Sequence, residues 1–147
     1  MAILVDTNIL LRSVQPHHPH YALVDRAFAF FRGQGEALCV TVQNLIEFWV
    51  VATRPHGAEN GLGMTTGAAS KELAAIKNLF PILPEPASLF AHWEELVTTH
   101  SVSGKNAHDA RLVAVMELSG VAKILTFNTS DFTRFVDIEA ISPLSVS

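Results

Sequence analysis

The chain begins with a short apolar run that ends directly in a carboxylate. Residues 2–5 are all apolar, Asp6 follows them, and an apolar-rich run resumes within three residues. A short, wholly apolar run is typical of a strand buried on both faces of a parallel sheet. In open α/β sheets, ligands bind beyond the carboxyl ends of the strands. Asp6 is therefore either a ligand-binding group at that edge or the cap of the next helix.

Composition indicates a folded domain and excludes several kinds of protein. Of the 147 residues, 49% are hydrophobic, which is enough for one domain with a real core, and no repeat or low-complexity tract is evident. The formal net charge of -4 does not favour a globally basic nucleic-acid binder. A nucleic-acid site would have to be a local basic rim around an acidic centre.

The sequence also predicts the cellular compartment. The single cysteine, Cys39, can form no disulfide within the chain, which fits a reducing cytosol. The amino terminus has no basic segment leading into an uninterrupted apolar run, and no apolar stretch approaches the roughly 20 residues that span a bilayer. We therefore expect a soluble, cytoplasmic protein that does not enter a membrane.

Apolar segments of strand character alternate with segments of helical periodicity along the whole chain. This alternation predicts a parallel sheet with right-handed crossovers and helices on both faces. The expected fold is a three-layer α/β/α sandwich with a central, mostly parallel sheet of four or five strands, forming one domain over residues 1–147. The predicted strands are 2–5, 38–42, 80–83, 121–126 and 138–141. The predicted helices are 8–13, 21–32, 43–53, 67–79, 87–100 and a last one that starts near 103 or 106 and ends at Gly120.

Two acidic residues lie inside predicted helices. Glu47 belongs to the helix at 43–53, which is apolar almost all round and should be largely buried, so its carboxylate needs a partner or a cation. Asp109 lies in the first turn of the last helix. Because Asn106 lies three residues before it, the pair also resembles a capping box with a shorter acid, which would be a purely structural role.

Polar side chains also follow a late strand. Asn128 and Asp131 come after residues 121–126, as Asp6 comes after residues 2–5, so these groups can converge with the helical acids at one sheet edge. Carboxylates brought together repel one another unless a cation neutralises them, and hard oxygen ligands suit Mg²⁺ or Mn²⁺. Such a cation can activate water and stabilise charge on a phosphate. The two acids of a glycosidase are also compatible with the composition, although nothing indicates a sugar.

Four motifs in order resemble those of the PIN domain and, more narrowly, those of the VapC-type toxins of bacterial toxin–antitoxin pairs. They are residues 5–11, 44–48, 107–112 and 125–132, so the resemblance covers essentially the entire chain. It implies a PIN-like fold and a Mg²⁺- or Mn²⁺-dependent endoribonuclease that cuts single-stranded or structured RNA. It also implies a homodimer that is held in check by an antitoxin protein encoded beside it.

The resemblance assigns catalytic roles residue by residue. Asp6, Glu47 and Asp109 match the three core acids of the family, and Asp131 matches a further acid in an Asp-Phe pair. Many relatives carry Asp where this chain has Asn128, which can offer an oxygen but brings no negative charge. We therefore expect a first metal held by Asp6 and Asp109, with Glu47 acting largely through water, and a second metal that binds more weakly if it binds at all.

Other residues are expected to support this site. The side chains expected to orient the acids by hydrogen bonding are Thr7, Asn8 and Thr126. The basic residues nearest in sequence to the acidic motifs, and so the candidates for RNA phosphates, are Arg12, Lys105 and Arg111. Each of these three is more often an ordinary solvated charge than a contact.

Two other functions are compatible with parts of the pattern. A phospho-acceptor signalling domain also places acids around Mg²⁺, but it requires adjacent acids after the first strand and a Lys after a late strand, and this chain has neither. A catalytically silent RNA-binding or scaffold module of the same fold would keep the architecture without the chemistry. The intact Asp6, Glu47 and Asp109 speak against that module, while Asn128 leaves it open.

Overall fold

The computed structural model describes residues 1–146 and shows four parallel strands between two layers of helices. The sheet order is β2-β1-β3-β4. The strands are β1 (Ala2–Val5), β2 (Ala37–Cys39), β3 (Lys123–Leu125) and β4 (Glu139–Ile141). The helices are α1 (Thr7–Ser13), α2 (Tyr21–Gly33), α3 (Val42–Thr53), α4 (Thr66–Leu79), α5 (Leu89–Thr99) and α6 (Asn106–Leu118), with 3₁₀ turns at Thr129–Phe132 and Pro143–Ser145. This arrangement confirms the predicted parallel α/β/α fold.

The central strand is buried on both faces, as its wholly apolar sequence predicts. Side chains of successive strand residues point to opposite faces of a sheet. Ile3 and Val5 accordingly pack in the core that includes helices α1 to α4, while Leu4 packs in the core of α5 and α6. All three side chains are fully buried. Because β1 lies between β2 and β3, its carboxyl end, and hence Asp6, lies at the middle of the sheet edge.

The strand predicted at residues 80–83 is reduced to one bridge, so the sheet has four strands rather than five. The bridge is parallel and joins Val40 to Ile82. The Val40 N–H donates to the Pro81 carbonyl at 3.0 Å, and the Leu83 N–H donates to the Val40 carbonyl at 2.8 Å. Pro81 has no N–H, and Pro84 follows directly, so the segment cannot donate the regular hydrogen bonds of a longer ladder.

Helix α3 is less buried than its apolar sequence predicts. Ile46, Val50 and Val42 are 59%, 47% and 38% exposed, so one apolar stripe faces outward. The opposite side, which includes the fully buried Phe48, packs in the core. The expectation of a largely buried helix is therefore wrong for the outward stripe, and this stripe is a surface of α3 that a protein partner can cover.

Within residues 1–146, no helix is both long enough and apolar enough to cross a membrane. Cys39 is buried, its Sγ donates to the Ile3 carbonyl at 3.4 Å, and burial raises its thiol pKa to about 11. The thiol is therefore inert, as its apolar sequence context predicts.

Candidate active site

A polar cavity of about 410 Å³ opens at the carboxyl edge of the sheet. It is bounded by the ends of β1 and β3 and by α1, α3 and α6. The residues that line it are Asp6, Thr7, Asn8, Leu11, Glu47, Val50, Val51, Arg54, Asp109 and Asn128. The structure thus brings the predicted core acids to one cavity, although they are spread over more than 100 residues of sequence.

Asp6 performs both of the roles that its sequence position suggests. Its Oδ1 accepts from the Thr7 N–H at 2.8 Å and so caps α1, while its Oδ2 accepts from the Thr126 hydroxyl at 2.8 Å. Burial raises the pKa of Asp6 to about 6; these two hydrogen bonds oppose the increase, and the charges of Glu47 and Asp131 add to it. The protein therefore holds a carboxylate here at an energetic cost that a cation would offset.

Thr126 joins the ends of the two central strands. It is fully buried, and besides donating to Asp6 it accepts from the Asn8 Nδ2 at 3.3 Å and from the Asn128 N–H at 3.0 Å. The Asn8 Oδ1 in turn accepts from the Phe127 N–H at 3.3 Å. One hydroxyl thus fixes the orientation of the acid on β1 relative to the loop after β3. The structure thus gives Thr126 and Asn8 hydrogen bonds around Asp6, while their supporting role in a catalytic site stays a prediction.

Glu47 is positioned through the amino-terminal cap of α3. Its Oε1 accepts from the Thr7 hydroxyl at 3.2 Å, and that hydroxyl accepts from the Asn44 Nδ2 at 3.1 Å. Asn44 and Thr41 cap α3 reciprocally, because the Asn44 Oδ1 accepts from the Thr41 N–H and the Thr41 Oγ1 accepts from the Asn44 N–H, both at 3.0 Å. Sequence reasoning missed Asn44 and Thr41, although a threonine followed three residues later by a side-chain amide is a recognisable cap.

Asp109 lies in the first turn of α6 and takes no part in capping it. The N-cap is Lys105, which makes no side-chain cap hydrogen bond, so the capping-box alternative for Asn106 and Asp109 is wrong. Among the described residues, no group donates a hydrogen bond to the half-buried Asp109 carboxylate. Burial raises its pKa to about 7, and the charges of Asp131, Asp6 and Glu47 raise it further, while Arg134 acts in the opposite direction.

Asn128 and Asp131 complete the acidic edge. Asn128 follows β3, lines the cavity and begins the 3₁₀ turn of Thr129–Phe132. This turn carries Asp131, whose charge raises the pKa of both Asp6 and Asp109. The exposed Asp131 therefore lies close enough to the buried Asp6 and the half-buried Asp109 for its charge to act on both.

The basic residues near the site differ from those that sequence adjacency predicts. Arg12 donates to Gln15 at 2.7 Å, Arg111 is paired with Glu85 at 3.0 Å, and neither lines the acidic cavity. Lys105 is exposed at the start of α6 and does not line it either. The structure brings two other arginines to the acids: Arg54 lines the cavity, and Arg134 lowers the pKa of Asp109. In the sequence, only their nearness to acidic residues points to them. Arg54 ends the helix that carries Glu47, and Arg134 follows Asp131.

The donor set suits a hard divalent cation by its chemistry. Carboxylates that raise one another's pKa values favour a cation between them, and their oxygens are the ligands that Mg²⁺ and Mn²⁺ prefer. Within residues 1–146, however, no three acidic, histidine or cysteine side chains already form a metal-binding group. A cation held directly by two of the acids, with water completing its ligands, would not require three such side chains in direct reach.

The raised pKa of Asp109 predicts a stability that depends on pH. In the folded chain this pKa is about 7 against an ordinary value of 3.8, so the folded state binds the proton more tightly than the unfolded state. Protonation of Asp109 therefore contributes to the free energy of unfolding in full below about pH 4, and this contribution is lost as the pH rises through 7. Asp109→Asn carries no titrating group at this position, so the variant should not lose this stability. Its free energy of unfolding at pH 8, without metal, should exceed that of the wild type by about 1–2 kcal/mol. This figure allows for screening by solvent and for the loss of a negative charge at the start of α6.

Urea unfolding in EDTA, followed by circular dichroism between pH 5 and pH 8, measures this effect. The matched control is Asp25→Asn, because Asp25 is exposed on α2 and lies away from the acidic cavity. The difference between Asp109→Asn and wild type should widen with pH, whereas that of the control should stay constant. Parallel pH profiles for all three proteins would contradict the electrostatic description of Asp109.

Comparison with known proteins gives independent information on the fold. A family model described as the PIN domain matches residues 3–137. A search of curated protein sequences finds no significant match. Among solved structures, the chain is similar to VapBC2 from Rickettsia felis bound to a DNA fragment from its promoter, with a TM-score of 0.72 and 14% identity over 97% of this chain and 98% of that one.

Two further solved structures share this fold. VapC20 from Mycobacterium tuberculosis, described as a toxin that cleaves the sarcin–ricin loop, has a TM-score of 0.68 and 18% identity, and the match covers 90% of this chain and 95% of that one. A toxin–antitoxin complex from Klebsiella pneumoniae has a TM-score of 0.61 and 18% identity, with 96% of this chain and 97% of that one covered. At these identities, the similarity shows a common fold over nearly the whole chain.

Proposed function

We propose that this chain, which belongs to the PIN domain family, is a metal-dependent endoribonuclease that hydrolyses RNA phosphodiester bonds. The observation that carries the proposal is the convergence of Asp6, Glu47 and Asp109 on one cavity, where the pKa values of Asp6 and Asp109 are raised to about 6 and about 7. Catalytic sites are where such shifts cluster. The similarity to VapC20, which is described as a toxin that cleaves the sarcin–ricin loop, supports a nuclease activity.

In this proposal, Asp6 and Asp109 would hold the cation with their carboxylates, and Glu47 would act largely through water. When bound, Mg²⁺ or Mn²⁺ would supply positive charge for the phosphate and for the activation of water. Asn128 would offer an amide oxygen in place of a charge, so a second metal would bind more weakly. Asp131 adds negative charge to the same edge and would so favour the cation.

The remaining polar residues orient the acids or bind substrate. Thr126 donates to Asp6, Asn8 holds the Thr126 hydroxyl in place, and Thr7 donates to Glu47, through the hydrogen bonds described above. Arg54, whose Nη1 also donates to the Glu59 carbonyl at 2.8 Å, and Arg134 lie close to the acids and would neutralise RNA phosphates there. A basic rim of this kind reconciles RNA binding with the net charge of -4.

We assign the protein to the cytoplasm as the toxin of a toxin–antitoxin pair, with an antitoxin protein as its inhibitor and a second copy of the chain as its dimer partner. Support for the antitoxin comes from the VapBC2 and Klebsiella structures, which are toxin–antitoxin complexes. Support for the homodimer comes from the apolar stripe on α3. Beside it lies a wholly apolar cavity of about 280 Å³, lined by Val42, Leu45, Ile46, Trp49, Val50 and Leu73.

The alternative function is a catalytically silent PIN-fold module that binds RNA or serves as a scaffold. The observation that favours it is Asn128, an exposed amide on the rim of the cavity where many relatives carry an acid. A phospho-acceptor domain is no longer a competitor, because the chain belongs to the PIN family.

RNA cleavage by the purified, partner-free protein distinguishes these functions. A pool of cellular RNAs is incubated with Mg²⁺ or Mn²⁺ and, in parallel, with EDTA. We expect discrete cuts that appear with either metal and disappear with EDTA. Intact RNA in every condition, from a protein shown by circular dichroism to be folded and by calorimetry to bind Mn²⁺, would favour the silent module.

A further inference from the structure

A second cleft, of about 520 Å³, lies beside the amino-terminal turn of α6 and has no role in the chemistry described above. Its walls come from the segment leading into α5, from α5 itself and from the first turns of α6. The lining residues are Glu85, Pro86, Ala87, Leu89, Phe90, Trp93, Ala107, His108 and Arg111. A concave, mostly apolar space with a few polar groups is the usual form of a small-ligand site.

Two aromatic rings form one wall of this cleft. Phe90 is 66% exposed, and its ring centroid lies 5.6 Å from that of Trp93 with an interplanar angle of 38°. The Trp93 indole N–H donates to the Ala107 carbonyl at 2.8 Å, which fixes the indole against α6. The cleft therefore presents one anchored and one accessible aromatic side chain, so stacking on them requires little ordering of the protein.

Arg111 contributes a planar, positively charged guanidinium group to the cleft. Arg111 donates from Nη1 to the Gln43 Oε1 at 3.0 Å and pairs through Nη2 with Glu85 at 3.0 Å. Because both ends of the guanidinium are held, its plane is fixed. Arg111 and Glu85 together offer donors and acceptors, which are the groups that recognise the edge of a nucleobase.

The cleft adjoins the acidic cavity along the first turn of α6, because His108 lines the cleft and the next residue, Asp109, lines the cavity. The Gln43 Nε2 donates to the His108 carbonyl at 2.8 Å. Gln43 lies one turn before Glu47 on α3. The residues that fix the cleft are therefore direct sequence or helix neighbours of two acids of the cavity.

We propose that this cleft is a nucleobase subsite, in which a base close to the cleaved phosphodiester stacks on Phe90 and Trp93. The inference rests on the proposed ribonuclease function and extends it to substrate recognition. Stacking on aromatic side chains is worth about 1–3 kcal/mol per base and tolerates different bases, since every base has a π-face. The subsite therefore adds affinity for unpaired RNA, and Arg111 with Glu85 adds a preference among bases.

The test measures binding of an RNA analogue in EDTA, so that the proposed metal-dependent cleavage does not occur during the titration. The variant Phe90→Leu keeps apolar bulk but removes the aromatic face, and Phe30→Leu is its control, because Phe30 is an exposed phenylalanine, 39% accessible, on α2. The probes are a random-sequence 2′-O-methyl 10-mer pool and an abasic 10-mer with the same backbone. Both are titrated by fluorescence anisotropy. Because the chain has two tryptophans, the part of the fluorescence quenching that is absent from Trp93→Phe is assigned to Trp93.

The expected result is that Phe90→Leu weakens binding of the base-containing pool about 5- to 30-fold, leaves binding of the abasic oligonucleotide unchanged and reduces the quenching of Trp93 fluorescence. Phe30→Leu should match wild type with both probes. Equal loss with the abasic probe, or no loss with either, would overturn the subsite. A change in oligomeric state of Phe90→Leu, seen by light scattering, would also overturn it, by showing that a second copy covers the cleft.

The two proposals fail separately in these experiments. If wild type cuts RNA but Phe90 does not affect binding, the subsite is wrong and the ribonuclease function stands. If wild type does not cut RNA but binds the base-containing pool through Phe90, the subsite stands as the binding site of a silent module.

Discussion

Asp6→Asn is expected to abolish metal-dependent RNA cleavage while leaving the protein folded. Asparagine keeps the oxygen that accepts from the Thr7 N–H, and it is as good a helix cap as aspartate. It carries no charge for a cation, however, and it cannot accept the Thr126 hydrogen through an amide nitrogen. We expect the rate of RNA cleavage at saturating Mn²⁺ to fall by about 100- to 1000-fold.

The effect on stability separates this result from unfolding. Asp6→Asn removes a buried charge, which stabilises the metal-free protein, and loses the hydrogen bond from Thr126, which destabilises it. These effects oppose each other, so the free energy of unfolding at pH 7.5 should change by less than about 1 kcal/mol. The control is Asp137→Asn, an exposed acid between Phe135 and β4 that should behave as wild type in both assays. Wild-type cleavage by Asp6→Asn would remove Asp6 from the catalytic site.

Thr126→Val should lower both stability and activity. Valine has nearly the same shape as threonine, so the core keeps its packing, but the hydroxyl that serves three partners is lost. Asp6 Oδ2 and the Asn128 N–H are then left without that partner next to a fully buried position. Removing this hydroxyl should lower the free energy of unfolding by about 2–3 kcal/mol and the melting temperature by about 4–12 °C.

Activity tests whether Thr126 positions the acid or only stabilises the fold. At a temperature where the variant is fully folded, the Mn²⁺ concentration for half-maximal cleavage should rise about 10-fold or more, because Asp6 is no longer oriented. Thr126→Ser restores the hydroxyl and should recover most of that affinity, at the cost of about 1 kcal/mol for the missing methyl group. An unchanged Mn²⁺ requirement in folded Thr126→Val would reduce this residue to a structural one.

Local sequence patterns predicted the parts of the fold that depend on local chemistry. The apolar run of residues 2–5 predicted a strand buried on both faces, and the structure confirms it. The strand at 80–83 was predicted on hydrophobicity alone, and Pro81 limits it to one bridge because it lacks an N–H. The exposed stripe on α3 could not be predicted, since an apolar surface for a partner and an apolar core have the same composition.

Within the candidate site, the positions of the acids were predicted from sequence, but the neighbouring basic side chains were not. The acids were predicted because strand ends and motif order place them at one edge, and the structure brings them to one cavity, while their catalytic roles stay predictions. Arg54 and Arg134 were missed because charge at a site depends on which exposed side chains the fold turns toward it. Arg111 was assigned to RNA phosphates by adjacency to Asp109, yet it faces the neighbouring cleft and pairs with Glu85.

The hydrogen bond between Asp6 and Thr126 joins residues 120 positions apart in the chain. Contacts of such separation form late, since closing so long a loop is slow and a chain emerging from the ribosome gains its last segments last. During synthesis, Asp6 is complete for more than 100 residues before its partner leaves the peptidyl-transferase centre. A nascent or truncated chain that ends before Thr126 therefore lacks the hydrogen bond that orients Asp6. If the protein cuts RNA, translation itself delays that activity at least until Thr126 has been added to the chain.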